Sequence, residues 1–327
     1  MSQKKSPLMS VIITTIGSYE SIRTTVKYLR RQTVKEHLEV IIISPQMDVP
    51  ESDRAGFSDF YDVILMEADL DHGLYDAWVS AVNRAGAPVV AFGENHAFPE
   101  PQWAEALIEA HEGPWAGVGS VIKNANPGST NSRAQQYMTY GRYSEPVESG
   151  ETDDLPGHNV SYKRSILLEY GSDLRYMLIR TNIMNMDLRS QGYRLYMEGK
   201  AGVNHVNVSK TVSILLDLFY NGQIYTAALA HYKRWSPAKR FLYALLEPLI
   251  ILKHFQGTLH AIRRAGKRNE LIPAALPIII TGLTAHFIGK LWGYAAGFGT
   301  VQKRINSFEF DRFKYITDQD IKRVSNL

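Results

Sequence analysis

Glu94 and His96 stand two residues apart in "AFGENHAFPEPQW" (91–103), a stretch that reads as the end of a buried strand running into a turn. In an extended turn, side chains at i and i+2 point to the same side. A carboxylate and an imidazole placed in this way can hold a divalent ion. The carboxylate suits a hard cation, and the imidazole shifts preference toward Mn²⁺ or another transition metal. The same E-x-H spacing also suits an ordinary solvated turn. The surrounding elements decide between the two, because open α/β sheets bind ligands beyond the carboxyl ends of their strands.

Such elements are written around it. "MSVIITT" (9–15), "LEVIIIS" (38–44), "DVILME" (62–67) and "APVVAFG" (87–93) are short apolar runs. Between them, Ile22, Val26 and Leu29, and then Leu74, Ala77, Trp78 and Ala81, recur at helical spacing, with Gly86 as a stop. Strands alternating with helices predict an α/β domain with a mainly parallel sheet covered on both faces. "TTIGSY", "SPQM" and "GENHAFP" then fall on its ligand-binding edge. Further along, the pattern predicts a helix over "PEPQWAEALIEAHEG", a strand "WAGVGSVI" and irregular loops over 123–156. A strand turning into a helix follows in "HNVSYKRSILLEYG", then one helix through "LRYMLIRTNIMNMDLRSQG" and a strand "YRLYMEG".

Composition sets outer limits. The chain has 327 residues, 45% hydrophobic and 21% charged, which suits a globular protein with a real core. It has no cysteine, so disulfides and thiolate metal sites are excluded and a reducing cytoplasm is permitted. The net charge of +3 is too small to imply nucleic-acid binding. The N-terminal apolar run "VII" is followed by Thr14 and Thr15 and reads as a strand, not a signal peptide.

The composition shifts after about residue 210, dividing the chain into 1–212 and a helical region, 213–327. "TVSILLDLFYNGQIYTAALAHYKRW" is helical, and Ser236-Pro237 is a cap with proline at the first helical position. "KRFLYALLEPLIILKHF" is strongly apolar, interrupted by Glu247 and Pro248, and a basic stretch from Lys253 to Arg268 follows. Leu271 to Ala285 is uncharged but holds two prolines and is 15 residues long, short of the roughly 20 a spanning helix needs. Apolar stretches flanked by Arg, Lys and aromatics suit contact with a membrane surface through 236–299. Packing on the first domain, or on a second copy in a homo-oligomer, would use the same residues. The basic stretch lacks an interleaved aromatic platform, which favours anionic lipid over nucleic acid.

In sequence order, "MSVIITT", "LEVIIIS", "GLYDAWVSAVNRAGAPVVAFGENHAFPEPQW", "LPGHNVSYKRSILLEYG" and "QGYRLYMEGKAGVNHVN" resemble the family-2 glycosyltransferases of the GT-A fold, over roughly residues 8–210. "GENHAFPEPQW" falls where that family has an Asp-x-Asp motif followed by Pro and Trp. The chain is also similar to a bacterial branch with E-x-H at this place, a "NANPGS" stretch (124–129) and a C-terminal G-x-x-x-G-Y (Gly289 to Tyr294).

The resemblance implies an inverting, metal-dependent sugar transfer from a nucleotide-diphosphate sugar, a UDP-sugar above all. The acceptor would be a glycan or lipid-linked molecule at the inner face of the plasma membrane, in polysaccharide biosynthesis. It implies Glu94, His96 and His205 as ligands of Mn²⁺ or Mg²⁺, and Thr15, Asp71, Asp76 and Asn95 around the nucleotide sugar. Trp103, His158 and Asn159 would lie on the acceptor side.

Two departures stand out. No acid follows strand two until Asp48, and the usual place of the catalytic base holds Arg180, Thr181 and Asn182. The base is left unassigned: Asp154 and Asp187 are candidates, Asp153 adjoins the first, and another loop is the alternative source. The missing acid also motivates a second reading, a non-catalytic glycosyltransferase-like subunit that binds a sugar nucleotide or a membrane-complex partner. A nucleotidyltransferase would need a Gly-rich basic loop after strand one, and "TTIGSYESIR" supplies only Gly17 and Arg23.

Overall fold

The computed structural model describes residues 6–325 apart from Met47, and the side chains of residues 71 and 72 lie outside that description. The chain forms two compact units. The first runs to Val121 and takes up again over Val147–Asn204; the second comprises Ile122–Pro146 and the chain from His205 onward.

The first unit is built on the expected strands, β1 (Met9–Thr14), β2 (Leu38–Ser44), β3 (Asp62–Glu67) and β4 (Val89–Phe92). Their connections carry the helices α1 (Glu20–Leu29), α2 (Glu51–Arg54) and α3 (Leu70–Arg84). β3, β2, β1 and β4 lie side by side and parallel. Every residue of β1 and β2 is buried, as continuous Val/Ile strands covered on both faces should be. Leu29 and Val26 of α1 pack on Val11, Val40 and Ile42 in the core beneath the sheet.

β5 (Ala97–Pro99), which the apolar pattern did not announce, leads into α4 (Trp103–Ala110). β6 (Trp115–Asn124) follows, and its last residues belong to the second unit together with α5 (Thr130–Tyr140). β7 (Gly150–Thr152) and β8 (Val160–Lys163) return the chain to the first unit. β8 pairs antiparallel with both β4 and β6, so the sheet is mixed, in the order β3-β2-β1-β4-β8-β6-β9-β5, where β9 is Arg194–His205.

Two expectations are corrected. The segment 123–156 is not all loop, since α5 lies within it. The helix is hard to read because Gln135 and Gln136 are buried on it, their amides donating to Asp217 Oδ2 (2.8 Å) and Ile122 O (2.7 Å). The single helix expected over 174–192 is two. After α6 (Arg164–Glu169), α7 (Leu174–Ile179) and α8 (Thr181–Ser190) are separated by Arg180, whose backbone is extended at φ −148° and ψ 98°. Thr181 Oγ1 donates to Gly157 O at 2.9 Å and holds the break.

The second unit is helical: α5, α9 (Thr211–Tyr232), α10 (Pro237–Arg264), α11 (Arg268–Ala296), α12 (Val301–Phe310) and α13 (Asp318–Val324). Ser236 caps α10 as expected, accepting from Lys239 N. α10 continues through Pro248, and α11 continues through Pro273 and Pro277, whose positions lie on its exposed face. By length and composition α11 could cross a membrane, and 33% of its most apolar window is buried within the protein. α9 and α11 meet backbone to backbone. A Cβ on Gly289 would fall 2.0 Å from Phe219 O, and one on Gly293 2.3 Å from Gln223 O. Only glycine fits there, which accounts for the G-x-x-x-G spacing. Beside it, buried Glu247 meets Lys290 Nζ at 2.6 Å and accepts from Tyr294 OH at 2.9 Å. Burial and the Glu247 charge both push the Tyr294 phenol well above its usual range.

Candidate active site at the carboxyl edge of the sheet

One residue past β4, Gly93 N donates to Ile12 O at 2.9 Å and keeps the chain beside β1. The turn that follows is braced by Thr25 of α1. Its buried hydroxyl lies 3.3, 3.1 and 3.4 Å from the carbonyl oxygens of Glu94, Asn95 and Ala97. The turn cannot tilt outward without breaking that clasp, and Glu94, Asn95 and His96 are all buried. An ordinary solvated turn is thereby excluded.

The buried groups are oriented by their neighbours. His96 Nδ1 lies 2.8 Å from Asn95 Oδ1. An amide oxygen only accepts, so Nδ1 carries the hydrogen, and in the neutral ring Nε2 then has the lone pair. Nε2 faces Glu94 Oε1 at 3.6 Å. The other oxygen of Glu94 accepts from Asn159 Nδ2 at 2.6 Å. With ligand bonds of about 2.1 Å, two ligands of one ion stand roughly 3–4 Å apart. A carboxylate oxygen and an imidazole lone pair converging at this separation, each fixed by an amide behind it, fit a divalent ion.

Asn159 reaches Glu94 because β4 and β8 pair with Phe92 opposite Val160. Its N–H donates to Phe92 O at 2.8 Å, and its φ of +55° is one that asparagine tolerates better than most residues. Its neighbour His158 sets its ring edge-on to Trp78, centroids 6.0 Å apart. Trp78 in turn donates from Nε1 to Thr14 Oγ1 at 2.8 Å, tying α3 to the end of β1. Asn159 and His158, expected on the acceptor side, thus stand beside the Glu94 cluster and the first strand.

The remaining expected residues are spread more widely. Thr15 is buried and accepts from Gly17 N at 3.0 Å, shaping the turn after β1. Asp48 accepts from Tyr19 N at 3.0 Å and so anchors the start of α1. Burial, with Asp53 nearby, raises the Tyr19 phenol to about 12. Asp76 is half exposed and pairs with Arg175 at 3.3 Å. The side chain of Asp71 lies outside the described residues. Trp103 is a core residue, its indole donating to Ser120 Oγ at 2.8 Å. His205, the last residue of β9, belongs to the second unit; its Nδ1 lies 2.9 Å from Asn207 Oδ1 and its Nε2 3.2 Å from Tyr140 OH.

Asp154 and Asp187 differ sharply. Asp187 accepts from Tyr170 OH at 2.8 Å and from Gln191 Nε2 at 2.6 Å, on its own side of α8. Asp154 is half-buried and accepts from Asn182 Nδ2 at 3.0 Å and from Asn185 Nδ2 at 2.9 Å. It precedes the "LPGHN" stretch by one residue, and that stretch ends at Asn159. Asp153 instead pairs with Arg189 on the surface. The amide clamp on Asp154 has no sequence signal beyond two asparagines one helical turn apart.

A mixed sheet of this order, with a buried carboxylate and imidazole just beyond its central strands and helices on its faces, is a GT-A-type α/β domain. Residues 10–171 match the family model for glycosyl transferase family 2, and this segment belongs to that family. A curated relative, glucosyl-dolichyl phosphate glucuronosyltransferase of Haloferax volcanii, is 27% identical over 178 residues, 50% of this chain and 55% of that protein. The chain thus spans about half the length of the curated relative it matches. Mannosyltransferase PcManGT from Pyrobaculum calidifontis, solved in complex with GDP-Man and Mn²⁺, has a TM-score of 0.53 at 17% identity over 88% of each chain. That likeness is one of fold.

Proposed function

We propose that this protein transfers a sugar, with inversion, from a nucleoside-diphosphate sugar to a lipid-linked or glycan acceptor at the cytoplasmic face of the plasma membrane. The observation that carries the reading is the convergence of Glu94 Oε1 and His96 Nε2, fixed by Asn159 and Asn95, within a family-2 domain. Glu94 and His96 would hold a divalent ion, Mn²⁺ or Mg²⁺. When bound, such an ion supplies positive charge to the departing diphosphate.

The chain's own residues do the rest. Thr25 and Asn159 keep the ligands still. Asp154 accepts the proton of the acceptor hydroxyl as its oxygen bonds to the anomeric carbon and the bond to the diphosphate breaks. Asn182 and Asn185 position that carboxylate from two sides. The Pyrobaculum mannosyltransferase, solved in complex with GDP-Man and Mn²⁺, supports the choice of ligand class. The dolichyl phosphate acceptor in the name of the Haloferax relative supports a lipid-linked acceptor.

Membrane contact is supported by α10. Phe241, Leu245, Leu249 and Leu252 are all more than half exposed and line one face at i, i+4, i+8 and i+11. Lys239 and Lys253 flank the stripe. An apolar face between cations suits the boundary between headgroups and acyl chains of an anionic bilayer.

Incubating the protein with UDP- and GDP-sugars and Mn²⁺, and measuring released nucleoside diphosphate, tests the whole reading. Turnover that disappears in Glu94→Ala is expected. Absence of turnover with every donor, with and without anionic vesicles carrying a polyprenyl phosphate, overturns it.

A further inference from the structure

The second unit contains a cavity of about 290 Å³ that plays no part in the reaction described above. Its wall is made by Asn124 at the end of β6, by Arg133 and Tyr137 of α5, and by Lys267 and Glu270 at the start of α11. The "NANPGS" stretch therefore has a structural address, as one side of this cavity.

The wall holds two buried donors without a hydrogen-bond partner, Asn124 Nδ2 and Arg133 Nε. Neither side chain is loose. Asn124 Oδ1 accepts from Asn126 N at 2.9 Å and from Ser132 Oγ at 3.2 Å. Arg133 is held through its NH1 by Glu270. Unsatisfied buried donors are costly, and donors fixed in this way are preorganised for an acceptor supplied from outside. Glu270, paired with Arg133, adds a carboxylate to the wall, and Pro127 and Leu271 add apolar surface.

A site with fixed donors, a carboxylate and a small apolar face matches a sugar ring. Each sugar hydroxyl both donates and accepts, and the C–H face of the ring packs on apolar carbon. Glu270 is paired with both Arg133 and Lys267, so the wall also offers positive charge, and inorganic phosphate is the competing ligand. The volume lies at the lower end of ligand sites, about 300–1,000 Å³, which suits one ring and not a chain. We propose that this cavity binds a single pyranose unit of a glycan. As an acceptor subsite it rests on the transferase reading; as a saccharide site it does not.

The test is saturation-transfer NMR, with titration, on the full chain without donor or metal. The probes are methyl mannopyranoside, methyl glucopyranoside and methyl galactopyranoside; inorganic phosphate, which has no proton signal to saturate, is titrated by calorimetry. At least one glycoside is expected to bind saturably. Asn124→Asp keeps the Oδ1 contacts and replaces the free donor by oxygen; it should weaken that binding at least tenfold. Arg133→Met, which removes the second donor, should do the same, and it carries the test if Asn124→Asp fails to fold. Glu94→Ala should leave glycoside binding intact whatever it does to turnover, so the two readings fail separately. Binding of phosphate alone, no saturable glycoside, or affinity unchanged in both variants overturns the proposal.

Discussion

Asn182 donates from Nδ2 to Asp154 Oδ2 across 3.0 Å, joining the first turn of α8 to the segment that precedes β8. Asn182 is one of three residues, with Arg180 and Thr181, at the place where the family resemblance implies an acid. A carboxylate from another part of the chain therefore lies within hydrogen-bond reach of this turn, held by an amide of α8. Asn185, nearly one turn further along α8, holds the second side of the same carboxylate.

Asp154→Asn should lower kcat by about 100-fold or more, the range of a general base, while donor binding by calorimetry stays near wild type. Asp187→Asn serves as the comparison and should leave kcat within a few-fold. Equal losses in the two variants would remove Asp154 from the role.

Glu94→Ala and His96→Ala should each abolish the Mn²⁺-dependent part of donor binding. Calorimetric titration of a UDP-sugar or GDP-sugar, with and without Mn²⁺, reads this directly. Unchanged Mn²⁺-dependent binding in both variants would show that the pair holds no ion.

The α10 stripe predicts a separation of chemistry from location. Leu245→Glu with Leu249→Glu should stop the protein from sedimenting with anionic vesicles, because both side chains are largely exposed and neither supports the core. Hydrolysis of donor in solution should persist. Sedimentation equal to wild type would leave the stripe without its bilayer.

His111 predicts a pH dependence of stability. It is buried at the end of α4, its Nε2 2.9 Å from Ser161 Oγ. Burial first, and the Lys163 charge second, lower it to about 3. In the unfolded chain it titrates near ~6.5, so there the unfolded state takes up the proton first. The stability is therefore complete above that value and is lost as pH falls toward about 3, by up to about 1.4 kcal/mol per pH unit. Urea melts at pH 7 and pH 5 should show this loss in the wild type and a smaller one in His111→Gln. Identical slopes would contradict the assignment.

Much of the first unit was legible from local pattern. β1, β2, β3 and β4 each contain a run of at least three consecutive apolar residues, and α1 and α3 bury the residues that their helical spacing picked out. α5 was not legible, because its inward face carries glutamines whose burial is made acceptable only by partners such as Asp217, distant in sequence. The break at Arg180 was also hidden. Its cause is a hydrogen bond from Thr181 to Gly157, and no periodicity encodes such a contact.

The sequence by itself determined that Glu94 and His96 would leave a central strand together, since spacing and strand order are local properties of the chain. Tertiary structure alone decided that they are buried, that Asn159 and Asn95 orient them, and that Asp154 is drawn to Asn182. Those outcomes depend on strand pairing and on hydrogen bonds between segments up to 72 residues apart. Free energy of that kind is gained only when the whole sheet closes, so no short window of sequence can carry it.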